Sequence, residues 1–146
     1  MEENLTPSLE DYVEIIYGLS ADRGFARVKE IAASAQVSSA SVTQMLPRLV
    51  EHGLASHEQY GYIQLTAEGR RVAEKITRRH QIITRFLSEM LGIDQVQAEA
   101  DACKFEHSIS EPTLSRLVDF IQFVESRPKG SRRWLENFYD FVGMKK

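Results

Sequence analysis

A chain of 146 residues, 42% hydrophobic and with a net charge of −3, has room for one ordinary domain or two small ones around a packed core. That balance excludes a protein that coats nucleic acid indiscriminately, and no apolar run approaches the roughly 20 residues needed to span a bilayer, so no membrane partner is expected. A single cysteine excludes an internal disulfide, and the acidic start Met1-Glu2-Glu3 lacks the layout of a signal peptide, which together imply a cytoplasmic protein with a reduced thiol.

Thr6-Pro7-Ser8 reads as a helix start, with Ser8 as N-cap and Asp11 in a capping-box position; Leu9, Tyr12, Val13, Ile16 and Leu19 then keep helical spacing to about Ser20. Asp22-Arg23-Gly24 breaks the pattern. A short second helix is predicted from Val28 to about Ala35, a turn over Ala35-Gln36-Val37-Ser38, and a third helix from Ser39 to about Glu51, closed by His52-Gly53. Leu54-Ala55-Ser56 and Tyr62-Ile63-Gln64-Leu65 read as the arms of a hairpin with its tip at Gln59-Tyr60-Gly61. Thr66-Ala67-Glu68-Gly69 opens a long helix reaching about Leu91. Further helices are predicted over Gln95–Ser108, capped by Asp94, from Ser110-Glu111-Pro112 to about Ser126, and from Arg133 to about Val142. The fold class is therefore mainly α, with a winged helix-turn-helix domain over residues 1–75 and an all-helical domain over 76–146. The rear helices are apolar around much of their girth, more than so short a stretch can bury alone, so a symmetric homodimer is expected.

Metal-ligand side chains fall on three separate predicted helices: Asp11 and Glu14; His80; and Cys103, Glu106 and His107, with Glu99 one turn earlier. Residues three and four apart share a helix face, so each group converges by itself. Cysteine is often only a small buried apolar residue, and Glu-His pairs are common on solvated faces, so the full set carries more weight than any part. A mixed carboxylate, thiolate and imidazole set suits Fe(II) first and Mn(II) next, with Zn(II) or Co(II) as substitutes.

The start of the third helix is crowded with Ser38, Ser39, Ser41, Thr43 and Gln44, whose small hydroxyls and amide suit base edges; glutamine can pair with adenine. The segment from Ser34 to Val50 contains no acid. Arg27, Arg48 and the wing tip at Gln59 and Tyr60 are phosphate contacts in this reading, though each is also an ordinary surface residue type. Pro47 removes a backbone donor inside the helix and predicts a bend. His52 and His57 receive no role, and Trp134 with its aromatic neighbours reads as packing.

The sequence resembles the diphtheria toxin repressor family of iron- and manganese-responsive bacterial repressors. The resemblance rests on Thr-Pro-Ser-Leu-Glu-Asp-Tyr-Val-Glu-Ile-Ile-Tyr (6–17), Ala-Arg-Val-Lys-Glu-Ile-Ala (26–32), Ser-Val-Thr-Gln-Met-Leu (41–46), Leu-Thr-Ala-Glu-Gly (65–69), Arg-His (79–80) and Cys-Lys-Phe-Glu-His-Ser-Ile-Ser (103–110). It implies that Asp11 and Glu14 are the helix-one carboxylate ligands of the manganese branch, His80 the long-helix histidine, and Glu106 and His107 the pair shared by both branches. Cys103 stands where the iron branch has cysteine and the manganese branch glutamate, which makes the chain a hybrid. Glu99 stands where iron-branch proteins carry histidine. The resemblance also implies that the winged helix is joined to a helical dimerisation and metal-binding domain over 76–146, and it implies the short form, without the SH3-like domain of longer members.

These readings converge on a metal-dependent repressor of metal-ion uptake genes, binding palindromic double-stranded operator DNA, with no small-molecule substrate and no enzymatic activity. Without metal, Asp11, Glu14, Glu99 and Glu106 repel one another; with it, they share one centre and fix the spacing of two recognition helices, which must lie about 34 Å apart to read successive DNA turns. Moving such an equilibrium from 1:99 to 99:1 takes about 5.5 kcal/mol. Two other readings are a winged-helix thiol sensor acting through Cys103 and a small metalloenzyme with an open coordination position.

Overall fold

The computed structural model describes residues 7–58, 61–128, 130 and 132–144, and the chain divides into two compact units between Thr77 and Arg78. Gln59 and Tyr60, expected at the wing tip, lie outside the described residues.

In the first unit, α1 (Pro7–Ser20), α2 (Val28–Ala35) and α3 (Ser39–Glu51) pack with a small sheet of β1 (Ala26–Arg27), β2 (Ala55–His57) and β3 (Tyr62–Leu65). The strands are antiparallel in the order β1-β3-β2, with Ala26 opposite Ile63 and Ser56 opposite Gln64. Periodicity sets the core: Leu9, Val13 and Ile16 of α1, Ile31 of α2, Val42, Leu46 and Leu49 of α3 and Ile63 of β3 are all buried. The α2–α3 turn is fixed by Gln36, held in the left-handed region at φ 56°, while Val37 donates back to the Ala32 carbonyl at 3.0 Å. Ser38 then caps α3, its hydroxyl accepting from the Ser41 amide at 3.1 Å. We expect Ser38→Ala to lower stability by about 1 kcal/mol in urea unfolding, the usual effect of losing a hydroxyl cap. α3 runs unbroken through Pro47.

Two sequence expectations need correction here. Ser8 lies within α1, which begins at Pro7, and does not cap it. The hairpin gains a third strand, β1, whose two residues are too short to carry an alternating pattern. Arg27 pairs with Tyr62 across this added edge.

α4 (Ala67–Arg85) begins at a tight junction. Thr66 accepts from the Gly69 amide at 3.0 Å, and its hydroxyl donates to the Gly53 carbonyl at 2.6 Å. The helix does not continue to Leu91 as its periodicity suggests. Residues Phe86–Met90 form a π-helical turn, in which the Leu91 amide reaches the Phe86 carbonyl at 3.2 Å. The extra residue per turn rotates the apolar run Phe86, Leu87 and Met90, and hydropathy spacing cannot distinguish it from a regular helix.

The second unit also contains α5 (Gln95–Phe105), α6 (Glu111–Ser126) and α7 (Arg133–Phe141). Asp94 and Ser110 cap α5 and α6, with side-chain oxygens 3.1 Å and 3.4 Å from the Gln97 and Thr113 amides. α5 ends at Phe105, so Glu106 is its C-cap and His107 lies in the following turn rather than in the helix. Tyr139 of α7 donates its hydroxyl to the Glu89 carbonyl in the π-helical turn; burial, then the nearby Glu89 charge, pushes this phenol above the usual tyrosine range. The buried core is small, Met90, Ile121 and Val124 with half-buried neighbours, and beside it lies an apolar cavity of about 380 Å³ bordered by Phe86, Leu117, Phe120, Trp134 and Phe138. Phe105, Phe123, Trp134 and Phe141 remain exposed. Among the described residues no helix is long and apolar enough to cross a membrane.

Candidate metal centre and nucleic-acid face

α4 supplies His80, and the end of α5 supplies Cys103 and Glu106. One donor atom from each of these three lies within 4.8 Å of the others. The converging imidazole atom is Nδ1, 2.8 Å from Glu106 Oε2 and 3.8 Å from Cys103 Sγ. His107 brings Nε2 to 3.4 Å from Glu106 Oε1. The Glu106 side chain is only 1% exposed. A carboxylate withdrawn from water is costly unless cations or donors surround it, and here two imidazoles meet its two oxygens.

The donor set fits a divalent transition metal. Ligands about 2.0–2.3 Å from an ion stand ~3–4 Å from each other, close to the spacing found here, and nitrogen, sulfur and oxygen donors together suit Fe(II), Zn(II) and related ions. Glu99 is placed differently: it is exposed on α5, and its carboxylate accepts from Gln95 Nε2 at 2.8 Å. It is not among the grouped donors of the second unit. Asp11 and Glu14 lie on α1, the former exposed and the latter half-buried, three residues apart on one face.

One residue without a sequence-derived role borders this cluster. Arg79, next to His80 on α4, donates from Nη1 to the Glu106 carbonyl at 3.4 Å and forms an ion pair through Nη2 with Glu111, the first residue of α6. The Arg-His pair marks it in the sequence, but spacing alone does not reveal that it grips the backbone of a ligand residue.

On the first unit, Ser38, Ser39, Ser41, Thr43, Gln44 and Arg48 are all exposed on α3. Several hydroxyls also serve the helix: Ser38 and Ser41 share a 2.9 Å hydrogen bond, and Thr43 donates to the Ser39 carbonyl at 2.9 Å. These local bonds preset rotamers while each oxygen keeps a lone pair for an external donor. Beside the sheet, Phe25 and Tyr62 pack with centroids 4.4 Å apart and ring planes tilted by 52°, and the exposed guanidinium of Arg27 lies 5.6 Å from the Tyr62 centroid. The Arg27 amide donates to Glu30 at 2.9 Å. Arg23 pairs with the same carboxylate, and that hydrogen bond, reinforced by the Arg27 amide, holds Glu30 below the usual carboxylate range. The Arg27 guanidinium also lies 5.8 Å from the Phe25 centroid.

Residues 4–63 match the iron dependent repressor N-terminal DNA binding domain, and residues 66–135 match the iron dependent repressor metal binding and dimerisation domain. The chain is similar to the HTH-type transcriptional regulator MntR of Lysinibacillus sphaericus (strain C3-41), 36% identical over 123 residues that cover 84% of this chain and 88% of the relative. It is 34% identical to MntR of Bacillus pumilus (strain SAFR-032) over 126 residues, 86% of this chain and 87% of that one. Among solved structures, the manganese regulator SloR superposes with a TM-score of 0.72 at 30% identity, over 82% of this chain and 55% of its own, so the chain spans about half the length of that structure.

Proposed function

This chain belongs to the iron-dependent (diphtheria toxin) repressor family of metal-dependent transcriptional regulators, and from that premise we propose that it represses metal-ion uptake genes when Fe(II) or Mn(II) binds at His80, Cys103, Glu106 and His107. The convergence of His80, Cys103 and Glu106 carries this reading. Asp11 and Glu14 complete the ligand set by analogy with the manganese branch. Bound metal supplies positive charge that the carboxylates share. α3 reads the operator through Ser38, Ser39, Ser41, Thr43 and Gln44, while Arg27, Arg48, Gln59 and Tyr60 bind phosphates. The apolar cavity and exposed aromatics of the second unit support a homodimer, and a homodimer pairs naturally with a palindromic operator in double-stranded DNA.

The direct test is binding to a candidate uptake promoter, titrated anaerobically with Fe(II), Mn(II), Co(II), Zn(II) and chelator. Tight binding with Fe(II) or Mn(II), lost on chelation, is expected; equal affinity in every condition would refute the proposal. The thiol at position 103 biases the site toward softer ions than an all-carboxylate set does. Cys103→Ser is therefore expected to weaken Zn(II) and Co(II) binding about tenfold or more while affecting Mn(II) less. An equal loss across all metals would remove the sulfur from the ligand set. A thiol-switch role finds no support among the relatives.

A further inference from the structure

We propose that Arg79 is a positioning residue for the metal centre: it sets where Glu106 and His107 stand without touching the ion. The inference rests on the metal reading above. Its basis is the route of the guanidinium. α4 provides both His80 and Arg79, and Arg79 clamps the Glu106 carbonyl with one arm and the Glu111 carboxylate with the other. The side chain is largely buried, at 14% exposure.

The connection between these two anchors, residues 106–110, is where the donors leave regular structure. It begins one residue past the end of α5 and stops at the cap of α6. Within it, the Ser108 and Ile109 amides both turn back to the Phe105 carbonyl at 3.0 Å. Those bonds shape the turn but do not tie it to α4. The His80–Glu106 contact at 2.8 Å does so only through metal donors; Arg79 adds a tie through the Glu106 backbone, and so fixes Glu106 and His107 against the helix that carries His80.

Two effects of the guanidinium oppose each other. As a cation near a divalent ion, it disfavours metal; as a clamp, it removes the disorder that binding would otherwise have to overcome. Pairing with Glu111 cancels much of the first effect. The clamp therefore dominates, and loss of Arg79 weakens binding. Removing such an outer partner typically costs 10–100-fold in metal affinity.

The test uses the full chain, with Co(II) and Mn(II) affinities measured by chelator competition and the Co(II) absorption spectrum as a reporter of coordination geometry. Arg79→Gln and Glu111→Gln are each expected to lower affinity about tenfold and alter the Co(II) spectrum, and the double variant should lose little more than either single one. Arg79→Lys should recover part of the loss through a single contact. If Arg79→Gln fails to fold, Glu111→Gln breaks the same tie from its exposed end. Wild-type affinity and spectrum in the variants, or losses that add fully, would overturn the proposal. A wild-type protein that binds neither ion would instead overturn the metal reading, and the clamp with it.

Discussion

Glu106→Gln is expected to abolish metal-responsive DNA binding while leaving the metal-free protein at least as stable as the parent. The two halves of this prediction have different causes. An amide has nearly the carboxylate's shape but carries no charge and is a poor ligand. If roughly 10 kcal/mol of binding is shared over about four donors, each accounts for ~2.5 kcal/mol, so affinity falls on the order of 100-fold. Without metal, the parent holds a carboxylate that is 1% exposed. An amide of equal size carries a smaller desolvation cost in that buried position and still offers an oxygen to His80. Chelator competition reads the first effect and thermal unfolding in chelator reads the second. Unchanged metal affinity would remove Glu106 from the ligand set, and a large loss of metal-free stability would make it a structural residue.

Gly69→Ala is expected to unfold the first unit at markedly lower temperature. Alanine normally strengthens a helix over glycine by about 1 kcal/mol. At Gly69 the added Cβ would stand 1.9 Å from the Leu54 carbonyl oxygen and 2.9 Å from its carbon. That carbonyl accepts from the Thr66 amide at 3.0 Å, and Leu54 is itself buried at the start of the hairpin. Backbone atoms cannot swing aside as a flexible side chain does, so either α4 or the β2 arm must move. Overpacking of this kind costs about 3 kcal/mol, which lowers the melting temperature of a unit this size by ~12–20 °C. Gly18→Ala is the control: its Cβ meets nothing within 4 Å in α1, so a small gain in stability is expected. Circular dichroism melts of both variants check the pair. A Gly69→Ala melt within about 2 °C of the parent would show that the junction yields.

Both variants lie on features that the sequence marks unequally. Alternating and helical periods locate α1, α2 and α3 and both arms of the hairpin, because one buried face repeats every 3.6 or 2 residues. Caps are equally legible at Asp94 and Ser110, where a short polar side chain precedes a helical run. The ligand residue types at 80, 103, 106 and 107 are visible for a similar reason: thiol, imidazole and carboxylate at one-turn spacing form a chemical pattern that does not depend on the fold.

Other features depend on contacts between distant parts of the chain. β1 exists only because β3 pairs with it, and two residues cannot announce that by themselves. Ser8 has a capping residue's chemistry, yet the helix starts before it, since a cap is defined by the backbone and not by the side chain. The π-helical turn at Phe86–Met90 follows from how an apolar run meets its neighbours. Sequence alone located the helices and both hairpin arms and showed which side chains have metal-binding chemistry, because both follow from local periodicity and residue type. Tertiary structure decided that His80 meets Glu106 through Nδ1, that Glu99 turns to Gln95, and that Arg79 reaches Glu106 and Glu111, since these pairings join helices separated by long stretches of chain or depend on the rotamer adopted in place.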